Sequence, residues 1–173
     1  MNLIAALDSF DLLCLNDAAA FVDSKLDVLD ERARHSPDPD SDGTFDRGEY
    51  LAGFGFMACQ MYITEAISMS RLLREDALNV GPRHVCGHTI AALVNATANY
   101  WKHSPEWRAS MSRRAEATAG LIEDLGVDVG SSYVVVNALA QLVQPRKHRI
   151  RYVIPFLSQW RAALHPVSNR GDR

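Results

Sequence analysis

Three histidines and two asparagines recur along residues 83–107, RHVCGHTIAALVNATANYWKHSPEW. No Gly or Pro falls between His88 and His103, and Gly81-Pro82 and Ser104-Pro105 frame the stretch, so its composition predicts one helix. At about 100° per residue, His84, His88, Asn95, Asn99, Lys102, His103 and Glu106 share one sector of roughly 100°. Ile90, Leu93, Val94, Tyr100 and Trp101 fall opposite. An ordinary wet helical face carries Lys and Glu. Imidazoles and amides instead bind, position or exchange protons near neutral pH. The plain structural alternative is a polar stripe whose members satisfy one another.

Three chemistries could use such a stripe. Zinc on His84, Cys86 and His88 is disfavoured because Cys86 points about 100° or more away from both histidines on a regular helix. A Cys–His nucleophile pair fails for the same directional reason, and no Gly-rich elbow accompanies it. Metal-independent phosphodiester cleavage remains: a His takes the proton of a ribose 2′-hydroxyl while Arg, Lys or Asn steadies the phosphate charge.

Basic residues are distributed to match. The net charge of −3 argues against a general polyanion binder, but acidic residues crowd the first third and arginines the rest. Arg108, Arg113 and Arg114 follow the central stretch, and Arg146, Lys147, His148, Arg149 and Arg151 form the densest basic run. The guanidinium fork engages two phosphate oxygens, so Arg146, Lys147 and Arg149 are candidate RNA contacts. Their structural alternative is a solvated helix start.

The elements that must position these groups are helical. With 173 residues, 47% of them hydrophobic and 23% charged, the chain suits one globular domain, 1–173, and not a disordered or membrane-spanning one. Helical spacing over 3–15 and a second helix to about residue 34, capped by Asn16 or Asp17, open the chain. Residues 35–44 read as a mobile acidic surface loop, and 45–78 as a long Met-rich core helix in which Gly53 and Gly55 admit a neighbour. Further helices are expected within 108–125, 133–143 and 147–164, where Pro155 kinks the last or marks its true start, before a loose tail at 165–173. The expected fold is an all-α, single-domain antiparallel bundle of five to seven helices. Cys14, Cys59 and Cys86 read as reduced core thiols, and the opening residues do not resemble a signal peptide, which together point to a cytoplasmic protein.

The acidic loop also spells a metal-ligand pattern. Asp38, Asp40, Asp42, Gly43, Asp46 and Glu49 occupy positions 1, 3, 5, 6, 9 and 12 of an EF-hand calcium loop. Against it, Pro39 stiffens position 2, Ser36-Pro37 breaks the entering helix, and no second hand is present. The competing reading is a capping box from Asp46 to Glu49.

Arg83-His84-Val85-Cys86-Gly87-His88 has the form Arg, polar residue, three residues, His, and resembles the signature of HEPN domains. These are small helical bundles that include ribonuclease toxins and phage-defence proteins. Asn99-Tyr100-Trp101-Lys102-His103 resembles the later part of the same signature, with Ala98 where its arginine should stand. The resemblance covers about residues 45–164 at fold level and a handful of residues at motif level. It implies a homodimer whose Arg and His meet across the interface in a metal-independent RNase site, with a cognate antitoxin or defence partner. Carried over, Arg83 and His88 become phosphate stabiliser and acid or base, with His84 in the variable polar position. In the second stretch only Asn99 and His103 carry over, and Lys102 or Arg108 must replace the missing arginine. Activity does not follow from fold. The reading from another class is a non-catalytic interaction module, a pseudo-enzyme homodimer, with a calcium-responsive variant built on residues 38–49.

Overall fold

The computed structural model describes residues 3–107 and 111–164, with side chains from residue 10 onward. Seven α-helices lie among these: α1 (Leu3–His35), α2 (Thr44–Met69), α3 (Arg74–Leu78), α4 (Ile90–Trp107), α5 (Arg113–Asp124), α6 (Val134–Val143) and α7 (Ile154–Leu164). A 3-10 turn, Ile150–Tyr152, precedes α7, and an isolated bridge joins Arg83 to Thr89. The all-α bundle is therefore present. Residues 108 and 165–173, where a phosphate contact and a loose tail are expected, lie outside the described residues.

The first 35 residues do not divide at Asn16. Leu15, Ala19, Val22 and Leu26 are all buried at spacings of four, three and four, so one apolar face runs unbroken through the expected boundary. Asn16 donates to the Leu12 carbonyl (2.7 Å), an interior helical contact and not a cap. Helix α2 runs antiparallel to α1: Phe21 and Val28 share a groove with Tyr50, while Leu15 lies by Tyr62. It also packs on α4, α6 and α7, which makes it the central helix. As the sequence suggests, its glycines admit neighbours. A Cβ on Gly53 would sit 2.2 Å from the Trp101 indole, and one on Gly55 would sit 2.3 Å from Ile150.

Two boundaries differ from expectation, and Pro155 marks the true start of the last helix as expected. The 45–78 stretch breaks after Met69, and α3 is a separate short helix whose buried Ala77 carbonyl accepts the Trp160 indole N–H (2.8 Å). Residues 83–89 are a tight turn instead of helix. His84 N–H bonds to the His88 carbonyl (2.8 Å), and Gly87 takes φ +93°. Helix α4 begins only at Ile90, because the buried Thr89 caps it: its hydroxyl accepts Ala92 N–H (3.2 Å) and donates to the Leu78 carbonyl. Pro155 sits in the first turn of α7, where a missing N–H costs nothing.

The acidic loop is more ordered than its composition suggests. Asp42 accepts Ser36 Oγ (2.7 Å) and Thr44 N–H (2.9 Å), Ser41 N–H bonds to Asp38, and Thr44 is buried. The Asp46–Glu49 capping box does not form. Glu49 reaches instead to α6 and accepts Val135 N–H (2.8 Å) and Val136 N–H (2.9 Å), capping that helix from a distance. Burial raises its carboxyl above the ordinary range, against the pull of the two amides.

The C-terminal part is tied to α1 by an acidic row at helical spacing, Asp23, Asp27 and Asp30. Asp23, 1% exposed, accepts Ile150 N–H (2.8 Å), Arg151 N–H (3.1 Å) and the Arg151 guanidinium (2.9 Å). Asp27 and Asp30 hold Lys147 (2.6 and 3.0 Å) and the buried Arg149. The Asp23→Ala variant strands buried backbone donors, and a loss of about 3 kcal/mol is expected in urea denaturation. Arg151→Ala removes only an exposed partner and should cost under about 1 kcal/mol.

Hydrogen bonds from Lys147 and then Arg149 bring the Asp27 carboxyl from 3.8 to about 2. Because its folded value is depressed, its contribution is complete above the unfolded value and disappears as pH falls towards about 2. The urea midpoint should therefore drop between pH 4 and 2, and Asp27→Asn should flatten that drop; parallel curves for the two proteins would refute this.

Candidate functional site

The polar stripe of α4 faces α2 across a single buried amide. Gln60, 6% exposed within the Met-rich face of α2, donates from Nε2 to Asn95 Oδ1 (2.9 Å) and Asn99 Oδ1 (2.9 Å). Its Oε1 accepts Lys102 Nζ (2.7 Å). Arg74, from the start of α3, donates to the same Asn95 oxygen (2.8 Å). The asparagine oxygens are thus occupied, and each keeps its NH2 as a further donor.

Beyond this network opens a cleft of about 590 Å³, to which α2, α4 and α5 contribute. Arg74, Asn99, Lys102, His103, Trp107 and Arg114 line it, with Met57 and Met61 as its apolar side. Helix α5 is aimed here by its own cap, Ser112 Oγ accepting Ala115 N–H (3.2 Å), which brings Arg114 to the rim. Among the described residues, no carboxylate lies within ion-pair distance of Arg74, Lys102 or Arg114. The Lys102 ammonium is held below its ordinary value by burial first, then by repulsion from Arg74 and Arg114. His103 Nδ1 lies 3.3 Å from Glu106 Oε2, and the imidazole is about half exposed at the cleft edge.

The residues predicted from sequence divide into three groups. Asn99, Lys102 and His103 come together in the cleft. Arg83, His84 and His88 do not join them. Arg83 donates to the Gly87 (2.7 Å) and Asn79 (3.3 Å) carbonyls, closing its own turn, and His84 Nδ1 accepts Cys86 N–H (3.3 Å). His88 pairs with Asp124 (2.8 Å). The helix from Ile90 to His103 places this turn about 20 Å from the cleft's imidazole. In the third group, Lys147 and Arg149 are neutralised by Asp27 and Asp30, while Arg146 stacks over Tyr152 (5.3 Å). These two cations fix the fold instead of facing a ligand.

Four of the five carboxylates of the loop pattern are similarly engaged. Asp38 accepts Ser41 N–H, Asp40 accepts the Tyr133 hydroxyl, Asp42 holds Ser36 and Thr44, and Glu49 caps α6. No three His, Cys, Asp or Glu side chains among the described residues converge on a metal position. Of the thiols, Cys59 is buried, and burial pushes it up to about 12. Cys14 is exposed and Cys86 half-buried, so neither is the core thiol expected. A second cavity of about 510 Å³ lies where α1, α2 and α6 meet, but its charged rim, Asp30, Lys147 and Arg149, is already paired.

Sequence reasoning missed Gln60 and Arg74, and noted Arg114 among the arginines after the central stretch without assigning it to the site. A glutamine amid Met, Phe and Cys was the available signal for the first. Nothing local places the two arginines in one site, which they reach only through tertiary packing. A multivalent anion should bind here and relieve the repulsion among the three cations. Millimolar tripolyphosphate should raise the melting temperature above that in NaCl of equal ionic strength, with the gain at least halved in Arg114→Gln. An equal gain in both proteins would place the anion elsewhere.

No family model, curated protein or solved structure matches the chain.

Proposed function

We propose that this protein binds RNA phosphates in the α2–α4–α5 cleft and cleaves the strand there without a metal, in the manner of a HEPN-like ribonuclease. The observation that carries this reading is the set of three cations, Arg74, Lys102 and Arg114, turned to one cleft with no carboxylate paired with them among the described residues. Such a set lowers the energy of a phosphate whose charge grows on the way to a five-coordinate transition state. His103 stands at the edge of that field, with Glu106 on Nδ1 to orient the ring.

In the proposed reaction, His103 Nε2 takes the 2′-hydroxyl proton, the 2′-oxygen bonds to phosphorus, and the P–O5′ bond breaks. The leaving 5′-oxygen takes a proton from the imidazolium or from water. A 2′,3′-cyclic phosphate and a 5′-hydroxyl end result. Lys102 and Arg114 hold the non-bridging oxygens, and Asn99 offers an amide donor. The charge that the signature's arginine would supply at position 98 comes instead from Arg74 and Arg114, on other elements. Within the resemblance, this assigns the chemistry to Asn99 and His103, and Arg83 and His88 to the turn before α4.

A second reading is an interaction module. Phe10, Leu13, Phe21 and Val28 are each more than half exposed along α1, a face suited to a second copy or another protein. No helix among the described residues is long and apolar enough to cross a membrane.

Purified protein incubated with total RNA in EDTA should produce cyclic-phosphate ends. His103→Ala should lower the rate by about a hundredfold or more, the usual scale for a lost acid or base. His88→Ala should retain it. Cleavage that needs a divalent metal, or that survives His103→Ala and not His88→Ala, would sink the assignment.

A further inference from the structure

The cleft does not end at its cations. Phe54, Met57 and Met61 succeed one another at spacings of three and four, so they form one row on α2. Met57 and Met61 line the cleft, and Phe54 continues the row one turn, about 5 Å, beyond it. There the Phe54 ring meets Tyr50 (5.2 Å) and Trp101 (5.5 Å), and Tyr50 meets Trp101 (5.4 Å). Trp101 is seated on Gly53, where a side chain would displace it, and Lys102 follows it in the chain. Tyr50 is 59% and Phe54 50% exposed.

Aromatic rings left half in water cost stability that burial would recover. Joined through Met57 and Lys102 to the cationic cleft, they complete the two parts of a site for single-stranded nucleic acid: a charged track for the backbone and π-faces for unstacked bases. A duplex keeps its bases stacked internally and cannot use the rings. We propose that Tyr50, Phe54 and Trp101 form a base-stacking platform that makes the cleft selective for single-stranded RNA. This rests on the phosphodiester reading of the cleft and names its substrate class. Charge complementarity favours RNA over a protein partner here, since Lys102 directly follows Trp101, Met57 joins the ring row to the cleft that Lys102 lines with Arg74 and Arg114, and no described carboxylate is paired with these three cations.

Fluorescence anisotropy with the full chain tests it, using three probes of about 12 nucleotides: a 2′-O-methyl single strand that cannot be cleaved, its blunt duplex, and an abasic strand. The base-bearing single strand should bind at least about tenfold tighter than the other two. Phe54→Ala should remove about tenfold of that preference and leave the salt dependence unchanged. Arg114→Gln should instead lower the salt slope by roughly 0.7 and leave the preference for bases intact. Phe54→Leu separates stacking from bulk: it keeps an apolar side chain without a π-face and should bind as weakly as Phe54→Ala.

An abasic strand that binds as tightly as the base-bearing one overturns the platform while the phosphodiester reading stands. No binding of any probe overturns both. If Phe54→Ala leaves affinity unchanged but shifts the sedimentation coefficient, the rings form a protein interface and the proposal fails.

Discussion

A primary amide buried between two helices has little freedom. Gln60 must satisfy two N–H groups and an oxygen away from water, and each unmet group costs about 1–3 kcal/mol. Its partners all come from α4, at Asn95, Asn99 and Lys102. That requirement fixes the register of α2 against α4 more tightly than apolar packing could, because Leu and Ala contacts tolerate small slides. The same register seats Trp101 on Gly53. One polar contact thereby aligns the core pair and sets the direction of the side chains that face the cleft.

The chain handles positive charge in two opposite ways. Near the end of α1, Lys147, Arg149 and Arg151 meet three aspartates, and one of the guanidinium groups is buried. Removal of either partner would leave a charge without compensation, so this ladder is structural. In the cleft, Arg74, Lys102 and Arg114 repel one another, and the Lys102 ammonium is disfavoured first by burial and then by that repulsion. Lys102 and Arg74 each give one hydrogen bond to the Gln60 network, but their mutual repulsion and that of Arg114 work against the fold, whereas a bound anion turns the repulsion into attraction. The overall charge of −3 conceals this contrast, since the acids that make the total negative sit mainly on α1 and its following loop.

Local signals in the sequence carried the helical content, the close approach at Gly53 and Gly55, and the shared side of Asn99, Lys102 and His103. They failed where two local signals compete. Thr89 is a good helix cap and Gly87 a good turn residue, yet the Ala- and Leu-rich sequence after them extended the expected helix back to residue 83. Asn16-Asp17 is a plausible cap overruled by an unbroken apolar face. Glu49 fits both a calcium loop and a capping box, but its amide partners are 86 and 87 residues away and no local pattern predicts them. The shared place of Arg74 and Arg114 was hidden for the same reason, because the cleft is assembled from four helices, α2 to α5.

The two motif candidates illustrate why spacing alone is weak. Arg83 and His88 match the signature better than Asn99 and His103 do, yet the structure gives each a sufficient structural role. Arg83 bonds two carbonyls of its own turn, and His88 bonds Asp124 of α5. An arginine that already donates to neighbouring carbonyls has fewer donors for a phosphate, and a carboxylate on the histidine's Nε2 occupies the atom that would meet a substrate. His103 has its carboxylate on Nδ1, which leaves Nε2 for chemistry, and it has cations beside it. The weaker match therefore has the arrangement that suits the proposed cleavage better, because a phosphodiester responds to charge and donor geometry and not to the order in which a chain supplies them.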